Sequence, residues 1–304
     1  MIRPMQRADA PDVLALLKWM DDRPEREVFA PEARNMEDLR LESADKACVV
    51  QVDDFGRVRG YCGLAPLTLE DGEEGQVLEG PLGKEALTPL LRRALEHVGG
   101  SLYTFCARDN ARARAALEQS GFLCMHATDF YELRREHAKD ASPLPPECAV
   151  TFRMDPDAYR ALYRAAGERW SGRLGWSRAR LGAHFAREDV RLLVLRREAA
   201  ALGFAELELG ETARLTYLAV HPAERERGYG AALLREAVRE AFAHPEVRRV
   251  RARAQDHEGP ARKLYERQHF ELRRSVVTYL RDADETYDNR SAPMPVTLGR
   301  RASR

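Results

Sequence analysis

The sequence predicts an α/β fold built as two similar domains in tandem. The chain has 304 residues, more than a single domain usually contains. Its two halves repeat one order of predicted strands and helices with a period of about 145 residues. Between the halves, residues 136–147 contain three prolines and show neither helical nor strand periodicity. We therefore expect domains at 1–135 and 148–282, a linker at 136–147 and a polar C-terminal tail at 283–304.

Hydrophobic periodicity and turn residues predict the same series of elements in each half. A short strand and a helix come first, and a less regular helical stretch follows them. A strand hairpin, two strand–helix pairs and a closing strand complete the series. The corresponding segments are 2–19 with 150–167, 47–67 with 190–210, 75–98 with 214–242, 101–122 with 248–270, and 123–134 with 271–282.

Composition indicates a soluble, globular, cytoplasmic protein. Apolar residues make up 44% of the chain and charged residues 32%. No run approaches the ~20 apolar residues of a membrane helix. The N-terminal residues 1–22 lack a small-residue cleavage site, so we expect no signal peptide. The five cysteines are widely spaced and include no CxxC pair, which favours reduced thiols over a metal site.

Charge is distributed unevenly between the halves. Residues 1–147 carry 19 basic and 27 acidic side chains, whereas residues 148–304 carry 30 and 22. The arginines of the second half are interspersed with glutamates, a pattern that favours a local anion site over a nucleic-acid surface. We expect neither nucleic acid nor a membrane among the partners.

The strongest local signal is the junction VHPAERERGYGAALL at residues 220–234. An apolar strand ends at Val220, and apolar residues at three- and four-residue spacing predict a helix over 228–242. The first amides of that helix point at the preceding loop, where the helix dipole also favours an anion. Glycines let a phosphate approach the backbone, and arginines add charge-assisted contacts. The residues that suit this role are Gly228, Gly230, Arg225 and Arg227.

This junction resembles the acetyl-coenzyme A signature of the GNAT superfamily of N-acyltransferases, Val-x-Pro-x-x-Arg/Gln-x-x-Gly-x-Gly/Ala. The segment ARKLYERQHF at 261–270 is similar to the second motif of that family, Ala-x-x-Leu-Tyr-x-x-x-Gly-Phe. Glu258 stands where the second motif has Asn, and His269 stands where it has Gly. The resemblance covers residues 148–282 and implies, for each half, a twisted, mixed, mostly antiparallel sheet flanked by helices. The first motif is matched by Val220, Pro222, Arg225, Gly228 and Gly230.

The resemblance implies how acetyl-CoA is bound as a co-substrate. Backbone amides of the loop hold the pyrophosphate, and the end of the preceding strand pairs with the pantetheine arm like an extra strand. That pairing requires two neighbouring parallel strands to separate, as is typical of the family fold. The implied loop residues are Arg225, Glu226, Arg227, Gly228, Tyr229, Gly230 and Ala231, and the implied strand residues are Leu218, Ala219 and Val220.

The N-terminal half is interpreted as a degenerate copy that does not bind coenzyme. Its segment 77–91 has Gly80-Pro81 but no Arg/Gln-x-x-Gly-x-Gly, and Glu79 puts a negative charge where phosphates would arrive. Leu117 replaces the tyrosine of the second motif. The positions that still match the second motif are Asn110, Ala113, Gly121 and Phe122.

Acyl transfer to an amine requires a neutral amine, a stabilised oxyanion and a proton for the leaving thiolate. By resemblance, Tyr265 stands where many members carry the tyrosine that protonates the thiolate. Thr216 replaces the glutamate that often serves as base. Glu206 and Glu208 lie two apart on the preceding predicted strand, so they share one side of the sheet and are the alternative bases. The competing interpretation of Tyr265 is a core aromatic residue. For Glu206 and Glu208 it is that they are exposed strand carboxylates without a catalytic role.

The resemblance places the acceptor beside the first helical segments of the second half, where Trp170, Arg173 and Trp176 are expected to shape the pocket. Core packing explains a tryptophan equally well. We predict an N-acetyltransferase that acts on a small-molecule amine by direct attack, with the chemistry in the C-terminal domain. The sequence leaves open whether the chain forms a homodimer. Two alternatives remain: an acyl-CoA sensor without turnover, which the missing glutamate favours, and a nucleic-acid-binding module.

Overall fold

The chain forms two compact units. Unit 1 consists of Met1–Thr128 together with residues 274–282, and unit 2 consists of Asp129–Arg273. No helix in the described part is long and apolar enough to cross a membrane. The computed structural model describes residues 1–43, 46–68, 74–96, 98–138, 143–166 and 172–282.

Unit 1 alternates strands and helices in the predicted order. Its elements are β1 (Ile2–Pro4), α1 (Ala10–Asp21), α2 (Met36–Ser43), β2 (Ala47–Val52), β3 (Val58–Thr68), β4 (Glu74–Gly83), α3 (Leu87–Ala94), β5 (Leu102–Ala107), α4 (Ala111–Glu118) and the first part of β6 (Leu123–Arg134).

Unit 2 repeats that order, which confirms the predicted fold class. Its elements are β7 (Cys148–Thr151), α5 (Pro156–Ala165), a 3-10 turn (Gly172–Gly175), α6 (Arg178–Phe185), β8 (Val190–Arg197), β9 (Ala200–Glu208), β10 (Thr212–Val220), α7 (Tyr229–Ala243), β11 (Arg249–Gln255), α8 (Gly259–Arg267) and the start of β12 (Glu271–Arg281).

Two strands are divided between the units. The second part of β6, residues 129–134, belongs to unit 2 and lies next to β11. The second part of β12 belongs to unit 1, where Val276 to Arg281 pair antiparallel with β5. The domain limits predicted at 1–135 and 148–282 instead assign each strand to one half. A strand of eleven or twelve residues is long enough to serve both units.

The sheet of unit 2 runs in the order β7-β8-β9-β10-β11, and the second part of β6 follows β11. Neighbours from β7 to β10 are antiparallel, and β10 pairs parallel with β11. Helices α7 and α8 cover one face, where Leu233 and Leu234 are fully buried. Helices α5 and α6 cover β8 to β10 on the other face, where Tyr159 and Leu181 are fully buried around Phe204.

Equivalent turns in the two units support the internal repeat. Helix α4 of unit 1 is followed by Gly121 with φ of 86°, and α8 of unit 2 is followed by His269 with φ of 63°. Both values lie in the left-handed region that usually selects glycine after a helix. His269 therefore keeps the backbone conformation of the family glycine that it replaces.

Candidate active site

A slot opens between β10 and β11 of unit 2. The parallel pairs run from Thr212↔Arg249 to Arg214↔Arg251, and among the described residues no further pair joins these strands. On its other edge β10 stays paired with β9 as far as Val220, across a bulge between Leu215 and Tyr217. The edge of β10 beyond Arg214 therefore has no strand beside it, and that edge contains the predicted pantetheine residues Leu218, Ala219 and Val220.

The loop after β10 presents a run of backbone amides. Glu226 has φ of 63° and Gly228 has φ of 82°, so the chain turns twice through the left-handed region before α7 begins. In the described part of the chain, the amides from Glu226 to Ala231 have no hydrogen-bond acceptor. The next amide, that of Ala232, donates to the Gly228 carbonyl at 3.0 Å. Consecutive free amides at a helix start form a concave anion site.

The loop arginines hold the loop as well as supplying charge. Arg225 donates through Nη2 to the Ala166 carbonyl at 2.6 Å and through Nε to the Val220 carbonyl at 3.3 Å. Arg227 donates to Glu224 at 3.1 Å, and Glu224 also pairs with Arg197 at 2.9 Å. Arg225 therefore holds the loop against the rest of unit 2. Because its guanidinium already donates to two carbonyls, only its remaining N–H groups are left for the predicted contact with a phosphate.

The glycines leave room in front of these amides. A Cβ placed on Gly228 would meet no atom within 4 Å, whereas one on Gly230 would lie 3.6 Å from Leu264 Cδ2. The ring of Tyr229 is instead buried, with 5% of the residue exposed, and its hydroxyl lies near Arg197. Only the backbone of Tyr229 can contribute to the anion site; its side chain anchors the start of α7 in the core.

Tyr265 lies on the buried face of α8 with 5% of the residue exposed. Its ring packs against Tyr131 at 5.5 Å and Phe270 at 5.6 Å between centroids. The neighbouring Leu264 is the side chain that approaches Gly230. The structure therefore places Tyr265 among buried aromatic rings, a surrounding that fits a core residue, while its neighbour Leu264 lies near the start of α7.

Glu206 is the centre of a buried polar network. Its carboxylate is fully buried and accepts hydrogen bonds from Arg173 at 2.5 Å and Tyr159 at 3.1 Å. His184 Nε2 lies 2.9 Å from the same carboxylate. Burial by itself would raise the pKa of Glu206, but the hydrogen bond to His184 and the charge of Arg173 outweigh it, so the pKa lies below its usual value. A carboxylate held ionised in this way is a weak base.

Glu208 is the more accessible of the two predicted bases. Its side chain is 19% exposed and lies 2.8 Å from Arg214 and 3.9 Å from Arg187. Glu208 lies on the same side of the sheet as Glu206, as the two-residue spacing predicts.

Two of the predicted acceptor residues, Arg173 and Trp176, pack against each other. The Arg173 guanidinium lies 4.1 Å from the centroid of Trp176 and 5.4 Å from that of Tyr217. Arg180 packs against Trp176, also at 4.1 Å. Arg173 is thus engaged by aromatic rings as well as by Glu206. Trp170 lies outside the described residues.

Sequence reasoning missed Tyr159 and His184, two further hydrogen-bond partners of Glu206. Their only signal was local: both belong to amphipathic helices, and His184 follows the buried Leu181 by three residues. Such spacing predicts burial but does not identify a partner on a distant strand.

Unit 1 has an equivalent slot that is filled by its own chain. The parallel pairs of β4 with β5 are Gln76↔Leu102 and Val77↔Tyr103. Beyond them, the Gly80 amide donates to the Phe29 carbonyl at 2.6 Å, and the Phe29 amide donates to the Phe105 carbonyl at 2.7 Å. The segment 27–29 therefore lies between the separated strands and bonds to both.

Two further contacts complete this closure. The Ala107 amide donates to the Glu27 carbonyl at 2.8 Å, and Val28 is 4% exposed. Glu79, which the sequence placed where phosphates would arrive, is 2% exposed and pairs with Lys46 at 2.5 Å. Its carboxylate also accepts from Tyr61 at 2.8 Å. The negative charge of Glu79 is therefore matched inside unit 1.

Residues 156–270 match the model of the acetyltransferase (GNAT) family. They lie within unit 2 and include the slot, the amide loop and Tyr265. This part of the chain is a GNAT acetyltransferase domain, and the resemblance inferred from the two motifs is confirmed. No curated protein sequence matches the chain.

Solved structures share the fold. A GCN5-related N-acetyltransferase from Sphaerobacter thermophilus has a TM-score of 0.65 at 16% identity, covering 95% of this chain and 97% of its own. A tandem GNAT protein from the clavulanic acid biosynthesis pathway, solved without AcCoA, has a TM-score of 0.54 at 17% identity, covering 94% and 99%. A GCN5-related N-acetyltransferase from Kribbella flavida has a TM-score of 0.51 at 14% identity, covering 75% and 90%.

Proposed function

We propose that this protein transfers an acetyl group from acetyl-CoA to a small-molecule amine, and that unit 2 does the chemistry. The observation that carries the proposal is the continuity of the slot with the amide loop. The free edge of β10 ends at Val220, and the unbonded amides begin at Glu226. A phosphorylated ligand with an extended amide-bearing arm matches both features, because one end needs an anion site and the other needs a strand edge.

Different residues of unit 2 would bind the two ends of the coenzyme. The amides from Glu226 to Ala231 would hold the pyrophosphate, and the backbone of Leu218 to Val220 would pair with the pantetheine arm. When bound, the coenzyme supplies an activated acetyl thioester. A backbone N–H at or next to Val220 would donate to the thioester carbonyl as its oxygen becomes negative.

Transfer would proceed by direct attack. The amine lone pair forms the new C–N bond at the carbonyl carbon, and the C–S bond breaks. Tyr265 would donate its phenolic proton to the departing thiolate. The amine would release its proton to water. Glu208, the more exposed of the two predicted bases, lies opposite Arg214 at the closed end of the slot, ~20 Å along β10 from Val220, so it would take up that proton only through solvent. Glu206 is better suited to fixing Arg173 and His184, because its own pKa is lowered.

We further propose that unit 1 binds no coenzyme. The support for this is the segment 27–29, which occupies the position between β4 and β5 that stays open between β10 and β11. An extended arm would have to displace the backbone bonds of Phe29 and lose the burial of Val28.

A second candidate function is the sensing of acyl-CoA without turnover. It is favoured by the ion pairs of both predicted bases, Glu206 with Arg173 and Glu208 with Arg214. Such a protein would bind coenzyme through the same loop and release none of it as free thiol.

The distinguishing experiment incubates the full chain with acetyl-CoA and a panel of amines and separates free coenzyme from acetyl-CoA by chromatography. Chromatography is preferable to a thiol reagent because Cys124 is exposed and would react. Amine-dependent release supports the transferase. Calorimetric binding of acetyl-CoA without release from any amine supports the sensor, and the absence of binding contradicts both.

A further inference from the structure

A row of arginines lies on the face of unit 2 that α5 and α6 leave partly uncovered. Val250, Ala252 and Ala254 of β11 are buried in the core under α7 and α8. Because side chains alternate along a strand, the residues between them point to the opposite face. Those residues are Arg249, Arg251 and Arg253.

The carboxylates of this face are already matched by cations. Glu206 is paired with Arg173, and Glu208 is paired with Arg214. Glu132 of β6 is 4% exposed and lies 3.0 Å from Arg251. Its other cationic neighbours are Arg249 at 3.6 Å, Arg273 at 3.6 Å and Arg134 at 3.8 Å.

Arg253 differs from these arginines. Within the described part of the chain, no carboxylate lies within 4.0 Å of it, although the residue is partly buried. A partly desolvated guanidinium without a counter-charge interacts with a nearby anion more strongly than an exposed one does. Arg253 therefore adds a positive charge without a carboxylate neighbour to a face on which four arginines already surround the single carboxylate of Glu132.

The position of Arg253 relates it to the slot. The last parallel pair is Arg214↔Arg251, and Arg253 lies two residues, or ~7 Å, further along β11. It is therefore on the part of β11 that borders the open slot. On the β10 side, Tyr217 and Arg173 project from the same face. An acceptor that enters between these side chains has Arg253 on its β11 side.

We propose that the acceptor amine carries an anionic group, a carboxylate or a phosphate, and that Arg253 binds it. This inference rests on the proposed transferase function and adds the class of acceptor. Two parallel hydrogen bonds from the guanidinium to the oxyanion fix both the position and the orientation of the acceptor. A single point charge would fix only its position. The amine is thereby held near the slot while the anion stays on the arginine face.

The experiment compares matched amines that differ in charge. One pair is L-alanine and L-alaninamide, and the other is O-phosphoethanolamine and ethanolamine, each acetylated by the full chain. The wild-type protein should prefer the anionic member of at least one pair in kcat/KM. The pair that shows the preference distinguishes a carboxylate acceptor from a phosphate acceptor.

Arg253→Gln should reduce that preference at least tenfold, and Arg253→Lys should keep part of it. The ratio between the two members of a pair, compared between variant and wild type, cancels the difference in amine basicity. Arg249→Gln is the matched control, because Arg249 lies on the same strand and face but at the paired end. Arg249→Gln should change the preference for the anionic amine by no more than about twofold relative to the wild-type protein.

Three results would overturn the inference. Equal acetylation of charged and neutral amines, or an unchanged preference in Arg253→Gln, would remove the anion site. A raised KM for acetyl-CoA in Arg253→Gln would assign the residue to the donor. If no amine is acetylated while acetyl-CoA still binds, the transferase proposal itself fails, and the acceptor inference fails with it.

Discussion

The slots of the two units start alike and end differently. In each unit a parallel pair of strands separates after two or three residues, at Val77 in unit 1 and at Arg214 in unit 2. In unit 1 the segment 27–29 enters the gap and bonds to both strands. In unit 2 the gap stays open and leads to the amide loop. The gap between two separated parallel strands can therefore be filled by a segment of the same chain, as in unit 1, or stay open to a ligand, as we propose for unit 2.

The difference follows from the cost of unpaired backbone groups. A buried amide or carbonyl without a partner costs about 1–3 kcal/mol, so a partly buried strand edge has to be satisfied. Unit 1 satisfies its edge with Phe29, and Thr104 also donates to the Leu78 carbonyl at 3.0 Å. Unit 2 leaves its edge and the amides of Glu226 to Ala231 to be satisfied from outside.

The most severe change is expected when β5, one wall of the closed slot, loses the strand on its other edge. A chain that ends after Arg273 lacks the part of β12 that pairs with β5. Unit 1 should then lose its cooperative unfolding transition, although the deletion lies near the C-terminus. Hydrogen exchange of β5 measures this, and a chain that ends after Asp282 is the matched control. Undiminished protection of β5 in the shorter chain would show that unit 1 does not need this strand.

Tyr265→Phe should lower kcat about a hundredfold, the usual contribution of a positioned general acid. The affinity for acetyl-CoA should not change, because the ring keeps its packing against Tyr131 and Phe270. Single-turnover acetylation measures the chemical step. An unaltered rate would make Tyr265 a core residue and nothing more.

Gly228→Glu should weaken acetyl-CoA binding at least tenfold, about 1.4 kcal/mol, because it adds a negative charge to the amide loop. Its left-handed φ of 82° also strains any other residue. Gly56→Glu is the matched control: Gly56 has φ of 77°, and a Cβ on either glycine meets nothing within 4 Å. Equal binding by the two folded variants would place the coenzyme elsewhere.

The smallest effect is expected in the closed slot. Thr104→Val removes the hydroxyl that bonds the Leu78 carbonyl and should cost about 1 kcal/mol of local stability. Exchange of the Gly80 amide should accelerate about fivefold, while acetyl-CoA affinity stays constant. A change in that affinity would indicate that the coenzyme uses unit 1.

The elements that sequence could predict are those with local signals. The helix predicted over 228–242 is found as α7 at Tyr229–Ala243. Of its regularly spaced apolar residues, Leu234 and Ala241 are fully buried, whereas Val238 and Phe242 are partly buried. Turn glycines and hydrophobic periodicity report on neighbours in the chain, so they specify a strand followed by a loop and a helix. The GNAT resemblance rests on two such local stretches, 220–230 and 261–270, and both lie within the residues 156–270 that match the family model.

The features that sequence could not predict depend on distant partners. Segment 27–29 has no periodicity that distinguishes it from a loop, yet it bonds to residues some 50 to 80 positions away. The network of Glu206 joins residues of two helices and a 3-10 turn to one strand. Nothing in the pattern of β6 or β12 marks the point at which each strand passes from one unit to the other.

If the slot of unit 2 is open and that of unit 1 is closed, calorimetric titration of the full chain with acetyl-CoA should find one site per chain. Gly228→Glu should weaken binding at that site at least tenfold, and Gly56→Glu should not. Two sites per chain, or one site that is indifferent to Gly228→Glu, would contradict this arrangement of the slots.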